Sequence, residues 1–348
     1  MIEYVIFGES HGPAIGVTVS GLPAGVELNI ATIEKEMARR SPGKSPLASS
    51  RKEGDYFEII SGFFQGKTTG TPLTALIPNN DVQSKDYSEL RTHPRPGHAD
   101  YAAWVRYGGN ADYRGGGHFS GRLTAPLVFA GAVAKQILAQ RGIKVAAHIN
   151  NIFGICDATL ENPEDLLPLA EKPFAVLDDE MGREMQAAIQ EIMAEGDSVG
   201  GSIECAVWGL PAGVGDPDLG KNVEGIFAKH LFAVPAVKAV GFGMGSAFSL
   251  MRGSEANDPF LLQDGKISTE TNYTGGVNGG ITNGMPVVVE ATLRPTPSIA
   301  LPQQSVDLEK MEEYELSVTG RHDPCIVPRA VPVIEAAAAL ATCELLGV

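Results

Sequence analysis

GLPAGV at residues 21–26 is the stretch that decides the fold, because the same six residues return at positions 209–214. Each copy follows an apolar run with strand character, at 14–22 and at 201–209, and precedes a segment with helical periodicity. Two copies of one strand-turn-helix unit at distant positions predict two pseudo-equivalent halves. The alternative is coincidence, because turns reuse proline and glycine throughout proteins.

Hydrophobic periodicity predicts the other regular elements around these two turns. Helices are expected at about residues 30–40, 122–140, 182–194 and 327–346, and strands at about 56–64, 72–78, 144–153, 236–243 and 285–293. Asn29 is the expected N-cap of the first helix, and Gly142 is expected to end the second. The second helix is apolar nearly all round, which predicts burial, and Pro332 should lie in the first turn of the last helix or kink it. Strands and helices that alternate in runs predict an α+β or layered α/β fold.

Composition limits the class of protein and its partners. The 348 residues carry a net charge of −15 with an isoelectric point near 4.9, so the chain as a whole would repel nucleic acid and anionic membranes. Its four cysteines form no C-x-x-C pair, which argues against a zinc knuckle or a disulfide framework. No signal peptide is visible, and the most apolar run, residues 125–134, is shorter than the roughly 18 residues of a membrane helix. We therefore predict a cytoplasmic protein that binds neither nucleic acid nor membrane.

The stretch RTHPRPGHADYAAWVRYGGNADYRGGGHFSGRLT, at residues 91–124, combines arginine, histidine and glycine. Residues 39–122 hold 12 Lys and Arg against 8 Asp and Glu, whereas the rest of the chain holds 15 against 34. Glycines allow backbone amides to approach a ligand, arginines donate to phosphate or carboxylate as a fork, and the helix that follows adds a favourable dipole. The stretch therefore predicts a site for a small anion, whereas a lone charge run is usually a solvated loop.

Histidines in glycine-bearing loops are the candidate acid-base groups. His11 lies in GESHG and His98 in RPGHAD, and an imidazole, whose unperturbed pKa is roughly 6.5, suits proton transfer at neutral pH. A structural histidine is the alternative for each, and Asp323 before the last helix fits a plain helix cap. His93, His98 and Asp100 lack a further strong ligand at metal-site spacing, so no metal is predicted. No Walker A or G-x-G-x-x-G fingerprint occurs in a strand-to-helix context, which argues against nucleotide hydrolysis and a Rossmann domain.

An ordered set of motifs resembles the chorismate synthase family across nearly the whole chain. The motifs are GESHG at 8–12, RPGHADY at 95–101, DYRGGG at 112–117, SGRLT at 120–124, YTGGVNGGI at 273–281, LRPTPSI at 293–299 and RHDPC at 321–325. The resemblance implies one α+β domain over residues 1–348, a layered β-α-β sandwich in which antiparallel sheets flank a helical core. Its two pseudo-symmetric halves would span about 1–142 and 143–348. The resemblance also implies a homotetramer that binds FMN in its reduced form.

The resemblance further implies a lyase of the shikimate pathway, which leads to aromatic amino acids. The reaction would be the trans 1,4-elimination of phosphate from 5-enolpyruvylshikimate 3-phosphate to give chorismate, with a flavin required although there is no net redox change. His11 would protonate the leaving phosphate, His98 would hold the protonation state of the reduced flavin, and Asp323 would assist proton removal through the flavin N5. The substrate anions would bind Arg40, Arg51, Arg122 and Arg329. FMN would contact His118, Phe119, Ser120, Pro235, Ala236, Gly279, Arg294, Pro295, Thr296, Pro297, Ser298 and Arg321.

Four positions depart from the family pattern. The family usually has arginine and serine where this chain has His118 and Phe119, and alanine at Gly121. These departures bear on the expected contacts to the FMN phosphate. Pro46 stands where an arginine is common, so a substrate or nicotinamide contact there is absent or taken over by a neighbouring cation.

Two other functions stay open on the sequence. One is a flavin reductase that uses NADPH. In the lyase interpretation, NADPH would instead be an indirect reductant of the flavin. The reductase requires a nicotinamide site, and none is recognisable in the sequence. The other is a non-catalytic protein that binds a phosphate ligand, which would not need both His11 and His98.

Overall fold

A computed structural model describes residues 2–43, 54–80, 87, 89–218, 220–318 and 323–348. The strands are β1 (Glu3–Gly8), β2 (Ala14–Ser20), β3 (Glu58–Ser61), β4 (Phe63–Phe64), β5 (Lys67–Thr68), β6 (Leu73–Pro78), β7 (Lys144–Ile152), β8 (Ile155–Cys156), β9 (Gly201–Trp208), β10 (Val237–Phe242), β11 (Phe260–Gln263), β12 (Lys266–Thr269), β13 (Val277–Asn278), β14 (Ile281–Thr282), β15 (Val287–Leu293), β16 (Gln303–Asp307) and β17 (Glu312–Leu316). The helices are α1 (Ile30–Arg40), α2 (Asp100–Tyr107), α3 (Thr124–Ala139), α4 (Asp179–Glu195), α5 (Val223–Phe232), α6 (Gly253–Ala256) and α7 (Val327–Leu345).

Two antiparallel sheets form the outer layers of the fold. The first has the strand order β1-β2-β6-β3, and the second has the order β8-β7-β9-β15-β10. When the short edge strand β8 is set aside, the main strands of each sheet follow the same order: first, second, fourth and third along the chain. A duplicated unit produces such a shared order, as the repeated GLPAGV predicts. The division at residues 1–142 and 143–348 stays a prediction.

Helices α3 and α7 form the layer between the two sheets. Helix α3 packs on β2 and β6, α7 packs on β7 and β9, and the two helices pack against each other. They approach closely because both carry small residues: a Cβ added at Gly131 would lie 2.2 Å from the Cβ of Ala336. Almost every residue of both helices is buried, so the burial predicted for α3 from its apolar sequence is confirmed. The α+β sandwich is therefore the observed architecture.

A buried carboxylate ties the helical layer together. Glu335 of α7 accepts two hydrogen bonds from Arg39 of α1, at 2.7 and 2.8 Å, and one from Lys135 of α3 at 2.7 Å. The backbone N–H of Ala147 in β7 also donates to it, at 3.1 Å. Burial raises the pKa of the Glu335 carboxyl, but the two cations outweigh this and lower it to about 2. The carboxylate therefore stays ionised and joins three helices and one strand.

The two GLPAGV turns have the same hydrogen bonds. In the first, the Thr68 hydroxyl donates to the backbone O of Pro23 at 2.6 Å and accepts from the Val26 N–H at 3.0 Å. In the second, Thr282 donates to the backbone O of Pro211 at 2.7 Å and accepts from the N–H of the following valine at 2.9 Å. The strand-turn-helix unit is thus repeated in structure as well as in sequence, and coincidence is not its explanation.

Several predicted boundaries shift, and three elements lie where the sequence predicted irregular chain. Helix α1 has the predicted bounds, with Asn29 accepting from the Thr32 N–H at 3.2 Å, and Gly142 follows the end of α3. Strands β4 and β5 form a hairpin over residues 63–68, at the end of the strand expected at 56–64, since only two residues are needed to reverse the chain. Helix α2 lies within the glycine-rich stretch at 91–124, and β16 and β17 lie between the last expected strand and the last expected helix.

Pro332 is the sixth residue of α7, in the second turn, because the helix already begins at Val327. The expectation of a first-turn proline is therefore met by Pro328 and not by Pro332. Among the described helices, none has the length and apolar character needed to cross a bilayer.

Candidate active site

A cavity of about 780 Å³ lies where α3 and α7 begin. Residues from both helix ends line it, together with the end of α1, the loop before α2, the turns at 115–123, the α5–β10 turn and the segment that follows β15. Helix N-termini carry partial positive charge and unpaired N–H groups, so two of them at one cavity favour an anionic ligand. The topology thus brings to one place loops that are far apart in the chain.

Two of the predicted substrate arginines share one buried carboxylate, Asp55. Arg40 donates to both Asp55 oxygens, at 2.6 and 2.9 Å, and Arg122 donates to the same carboxylate. Burial raises the pKa of Asp55, but Arg40 and Arg122 outweigh it and hold that pKa below its ordinary value. Asp55 therefore stays ionised and orients both guanidinium groups at the cavity wall, where two positive charges face one negative charge.

The third predicted arginine joins this group from α7. Arg329 donates to Asp323 and, through Nε, to the backbone O of Arg40 at 3.1 Å. Burial lowers the pKa of the Arg329 guanidinium, although Asp323 opposes that effect. Residues that are nearly 300 positions apart thus meet at one side of the cavity, and three arginines against two aspartates leave that side positive.

His98 is held by two neighbours from its own motif. Its Nδ1 lies 2.5 Å from Oδ1 of Asp100, the first residue of α2. Arg95 donates to both oxygens of Asp100, at 2.8 Å each, and to the Ser298 hydroxyl at 3.0 Å. Burial raises the pKa of the Asp100 carboxyl, but hydrogen bonds from Arg95 and His98 lower it far below its ordinary value. An ionised Asp100 accepts the Nδ1 proton, and the Nε2 of His98 lies 3.3 Å from a guanidinium nitrogen of Arg95.

The glycine-rich turn at 115–117 lies between the two predicted histidines. A Cβ added at Gly115 would lie 2.2 Å from the ring of His11, and one at Gly116 would lie 3.2 Å from His98. All three glycines have positive φ, between 53° and 82°. The sequence predicted that these glycines admit a ligand; the structure shows that they also make room for two imidazole rings.

His11 is buried in the turn between β1 and β2, behind two residues that line the cavity. Those residues are Gly115 and Tyr87, whose ring meets the imidazole edge-on with 5.0 Å between centroids. Asn79, directly after β6, donates to the backbone O atoms of Glu9 and Gly12 at 3.0 and 2.9 Å. The histidine turn is therefore anchored to the first sheet.

Most of the predicted FMN contacts line the cavity. They are His118, Phe119, Ser120, Pro235, Ala236, Arg294, Pro295, Thr296, Pro297 and Ser298. Among the described residues, the Nδ1 of His118 has one hydrogen-bond partner, the backbone O of Gly8, 3.0 Å away. Gly279 lies outside the cavity, in the β13–β14 hairpin, so the structure does not bring it to this site. Arg51 and Arg321 lie outside the described residues.

Asp55 and Asn79 belong to the site although no sequence motif includes them. Asn79 accepts from Nε of Arg122 at 3.2 Å, so one side chain braces both the His11 turn and an arginine of the cavity. Asn79 was visible in the sequence as a polar residue at the end of a predicted strand. Asp55 carried no comparable signal, because its partners Arg40 and Arg122 are 15 and 67 residues away.

His93, considered in the sequence as a metal ligand, belongs to a different cluster. Its ring stacks on Tyr314 with 3.8 Å between centroids, and its Nε2 lies 3.4 Å from Asp307. Across the described residues, no group of three or more His, Cys, Asp or Glu side chains is arranged to hold a metal ion.

Comparisons with known proteins all lead to one family. A family model described as chorismate synthase matches residues 2–346. The chain is 49% identical to the chorismate synthase of Thermococcus kodakarensis over 97% of this chain and 94% of the relative, and 47% identical to that of Aeropyrum pernix over 98% and 90%. The chorismate synthase of Dehalococcoides mccartyi is 41% identical over 99% and 94%. A crystal structure of chorismate synthase superimposes with a TM-score of 0.78 at 27% identity, over 99% of this chain and 91% of that one.

Proposed function

The chain belongs to the chorismate synthase family, and from that premise we propose that it eliminates phosphate from 5-enolpyruvylshikimate 3-phosphate with reduced FMN as its cofactor. As a chorismate synthase it is a lyase of the shikimate pathway. The observation that carries the finer proposal is the pair His11 and His98, which flank one glycine turn beside a cavity rich in arginine. A protein that only binds a phosphate ligand has no use for two such imidazoles.

The substrate's charges match the arginine side of the cavity. It carries one phosphate and two carboxylates, and Arg40, Arg122 and Arg329 present forked donors that suit both groups. Asp55 and Asp323 hold these guanidiniums in place before the substrate arrives, so little side-chain entropy is lost on binding. Arg51 remains a proposed partner of the same anions.

The cavity also fits a flavin mononucleotide. Its volume of about 780 Å³ lies within the usual range for sites of small ligands and cofactors. Apolar side chains such as Leu127 and Val333 suit a flavin ring, and Arg294 adds a cation for its phosphate. The flavin would be held by the predicted FMN contacts that line the cavity, at 118–120, 235–236 and 294–298. When bound, reduced flavin supplies an electron-rich ring that lowers the barrier to departure of the phosphate.

Three residues of the chain carry the proton steps in this proposal. His11 donates a proton to the phosphate as its bond to carbon breaks and the electron pair leaves with the oxygen. The Asp323 carboxylate, held by Arg329, receives the proton lost from the substrate ring. His98 donates its Nδ1 proton to Asp100, and its Nε2 holds the protonation state of the bound reduced flavin.

We also propose that the enzyme is a homotetramer in the cytoplasm. Apolar side chains on the β11–β12 hairpin support an association of copies, since Phe260, Leu262 and Ile267 are each more than 70% exposed. NADPH is a candidate indirect reductant of the FMN.

The test supplies FMN, dithionite and 5-enolpyruvylshikimate 3-phosphate without oxygen and follows phosphate release and chorismate absorbance. We expect equal amounts of both products. The variant His11→Ala should slow release by roughly 10²- to 10⁴-fold, the usual effect of losing a general acid, while FMN affinity is unchanged. His93→Gln, outside the cavity, is the control and should turn over at close to the wild-type rate.

A folded protein that releases no phosphate would contradict the lyase proposal. A second reaction replaces dithionite with NADPH; if NADPH reduced the flavin there without any product in either reaction, the reductase alternative would be supported instead. Wild-type turnover by His11→Ala would show that this buried histidine is structural.

A further inference from the structure

The edge strand β10 begins with an irregular segment, residues 235–238, that lines the cavity. We propose that the ammonium of Lys238 in this segment binds a phosphate monoester, as a ligand residue of the enzyme proposed above. Neither the sequence motifs nor the predicted contacts include this residue. Three independent features of the structure support the assignment.

The first feature is a β-bulge that contains Lys238. Val237 pairs with Leu293 and Ala239 pairs with Thr292, so Lys238 is an extra residue without a partner in β15. If β10 alternated regularly, Lys238 would pair with the exposed Thr292. Both side chains would then lie on the face of the sheet away from the helices. The bulge removes that constraint, and Lys238, which is itself exposed, lines the mouth of the cavity beside the buried Val237. Bulges that re-aim a side chain are common next to active sites.

The second feature is the turn that leads into the bulge. Ala236 has a φ of 73°, a left-handed conformation that an L-residue with a Cβ avoids. The Val237 N–H donates to the backbone O of Val234 at 3.3 Å, and the Arg294 N–H donates to that of Ala236 at 3.0 Å. These bonds hold the strained turn against the segment after β15. A backbone kept in such a conformation beside a cavity is typical of a binding site.

The third feature is the distribution of charge around the cavity. Arg40, Arg95, Arg122 and Arg329 all pair with an aspartate. Among the described residues, Lys238 has no hydrogen-bond or ion-pair partner, and Arg294 donates only to the backbone O of Gly97 and Pro295. These two cations are neighbours along the β10–β15 pair. Of the described arginines and lysines that line the cavity, they are therefore the two that no described carboxylate neutralises, and a dianion is the ligand that would balance them.

Two phosphate monoesters reach this cavity under the proposed function: the flavin phosphate and the substrate phosphate. Phe232 and Val234, both at the cavity, lie just before the irregular segment, and Leu293 lies opposite it. Such apolar neighbours suit a ligand that joins a phosphate to a large ring system. The shared chemistry is a phosphate dianion on an ammonium group, and the experiment separates the two sources.

The experiment replaces Lys238 with Met, which keeps the length of the stem and removes the charge. Dissociation constants of FMN and riboflavin are measured by flavin fluorescence, without substrate, for the wild type and for Lys238→Met. We expect the FMN constant to rise about 10- to 100-fold, the range for a lost charge-assisted hydrogen bond, and the riboflavin constant to change less than twofold. Lys238→Arg should restore FMN binding to within about threefold. Lys266→Met, an exposed lysine on β12 outside the cavity, is the matched control.

A second arm measures inhibition of turnover by inorganic phosphate and the KM of the substrate. If the inhibition constant of phosphate and the KM of the substrate each rise about tenfold in Lys238→Met, while both flavin dissociation constants stay unchanged, the phosphate monoester is that of the substrate. Equal losses for FMN and riboflavin, or no loss for any phosphate ligand, would overturn the proposal. Flavin binding needs no turnover, so these constants test Lys238 even if the wild type released no phosphate, the result that would contradict the lyase proposal.

Discussion

Gly115 and Gly116 separate the side chains of His11 and His98, and each glycine is required for two reasons. Its positive φ is costly for any residue with a Cβ, and a Cβ there would also meet an imidazole ring. The first reason is common to many turns, whereas the second couples the turn directly to the proposed acid-base groups. The two reasons are separable by experiment, because other glycines in the chain have the first property without the second.

We predict that Gly115→Ala lowers both stability and turnover, whereas Gly142→Ala lowers stability alone. Gly142 has a φ of 75°, close to the 60° of Gly115, but a Cβ there meets nothing within 4 Å. Each variant should lose roughly 1–2 kcal/mol of unfolding free energy in a denaturant titration because of strained φ. Only Gly115→Ala, whose Cβ would lie 2.2 Å from His11, should also lose at least tenfold in the rate of phosphate release. Equal turnover by the two variants would contradict this coupling.

At the scale of elements, helices α1, α3 and α7 meet at a charged group inside an apolar layer. Glu335 is 1% exposed and receives donors from all three neighbouring elements. A buried ion pair adds little net stability over an apolar contact, because desolvation offsets the attraction. Removing the Glu335 carboxylate alone is destabilising, since Arg39 and Lys135 would then remain buried with too little negative charge beside them. The group thus specifies how these three helices pack together.

We predict that Glu335→Gln lowers the unfolding free energy by about 3–5 kcal/mol at pH 7. The folded-state pKa of Glu335 is lowered to about 2 from an ordinary 4.5, so its stabilisation is fully present above pH 4.5 and is lost as the pH falls toward 2. Denaturant titrations across this range should therefore show the difference between wild type and variant shrinking with acid. Glu171→Gln is the control, because Glu171 is exposed and 3.5 Å from Lys35, and should change stability by less than about 1 kcal/mol. A pH-independent difference would contradict the assignment.

At the scale of the whole molecule, the fold is two copies of one arrangement around a shared helical layer. Both sheets have the same order of main strands, and a GLPAGV turn follows the second strand of each. The copies differ in what each inserts before its last helix: α2 and the glycine turns in the first, β16 and β17 in the second. The segments between the last strand and the last helix of each copy supply His98, Arg122 and Ser298, whereas His11, Arg40 and Arg329 lie in or between elements of the duplicated framework. The site therefore combines duplicated and non-duplicated parts of the fold.

We predict that Thr68→Val and Thr282→Val destabilise the protein equally. Each substitution leaves a valine N–H and a proline carbonyl of a GLPAGV turn without a partner, which costs about 1–3 kcal/mol. The two losses should agree within about 0.5 kcal/mol and add in the double variant, because the residues lie in different halves. Thr69→Val, at an exposed neighbouring position, should be nearly neutral in the same denaturant titration. A large loss at only one of the two sites would refute structural equivalence of the turns.

The sequence by itself determined the long helices, the repeat and the family. Periodicity was sufficient for α1, α3 and α7 because each helix buries a broad apolar face, and GLPAGV was sufficient for the duplication because its glycines and proline restrict the backbone. The histidines and arginines of the site were recognisable from motifs, each of which is a short contiguous stretch. Their roles, and the contacts of Arg51 and Arg321, stay predictions.

Only the tertiary structure decided how those residues combine. Asp55 between Arg40 and Arg122, and the bulge at Lys238, depend on pairings between segments far apart in the chain. Gly279 lies outside the cavity for the same reason, although its motif reads like those that line it. Sequence patterns report which backbone conformations and which buried faces are favourable. The distance between two side chains on different elements is set by the packing of the sheets and helices, which no local pattern encodes.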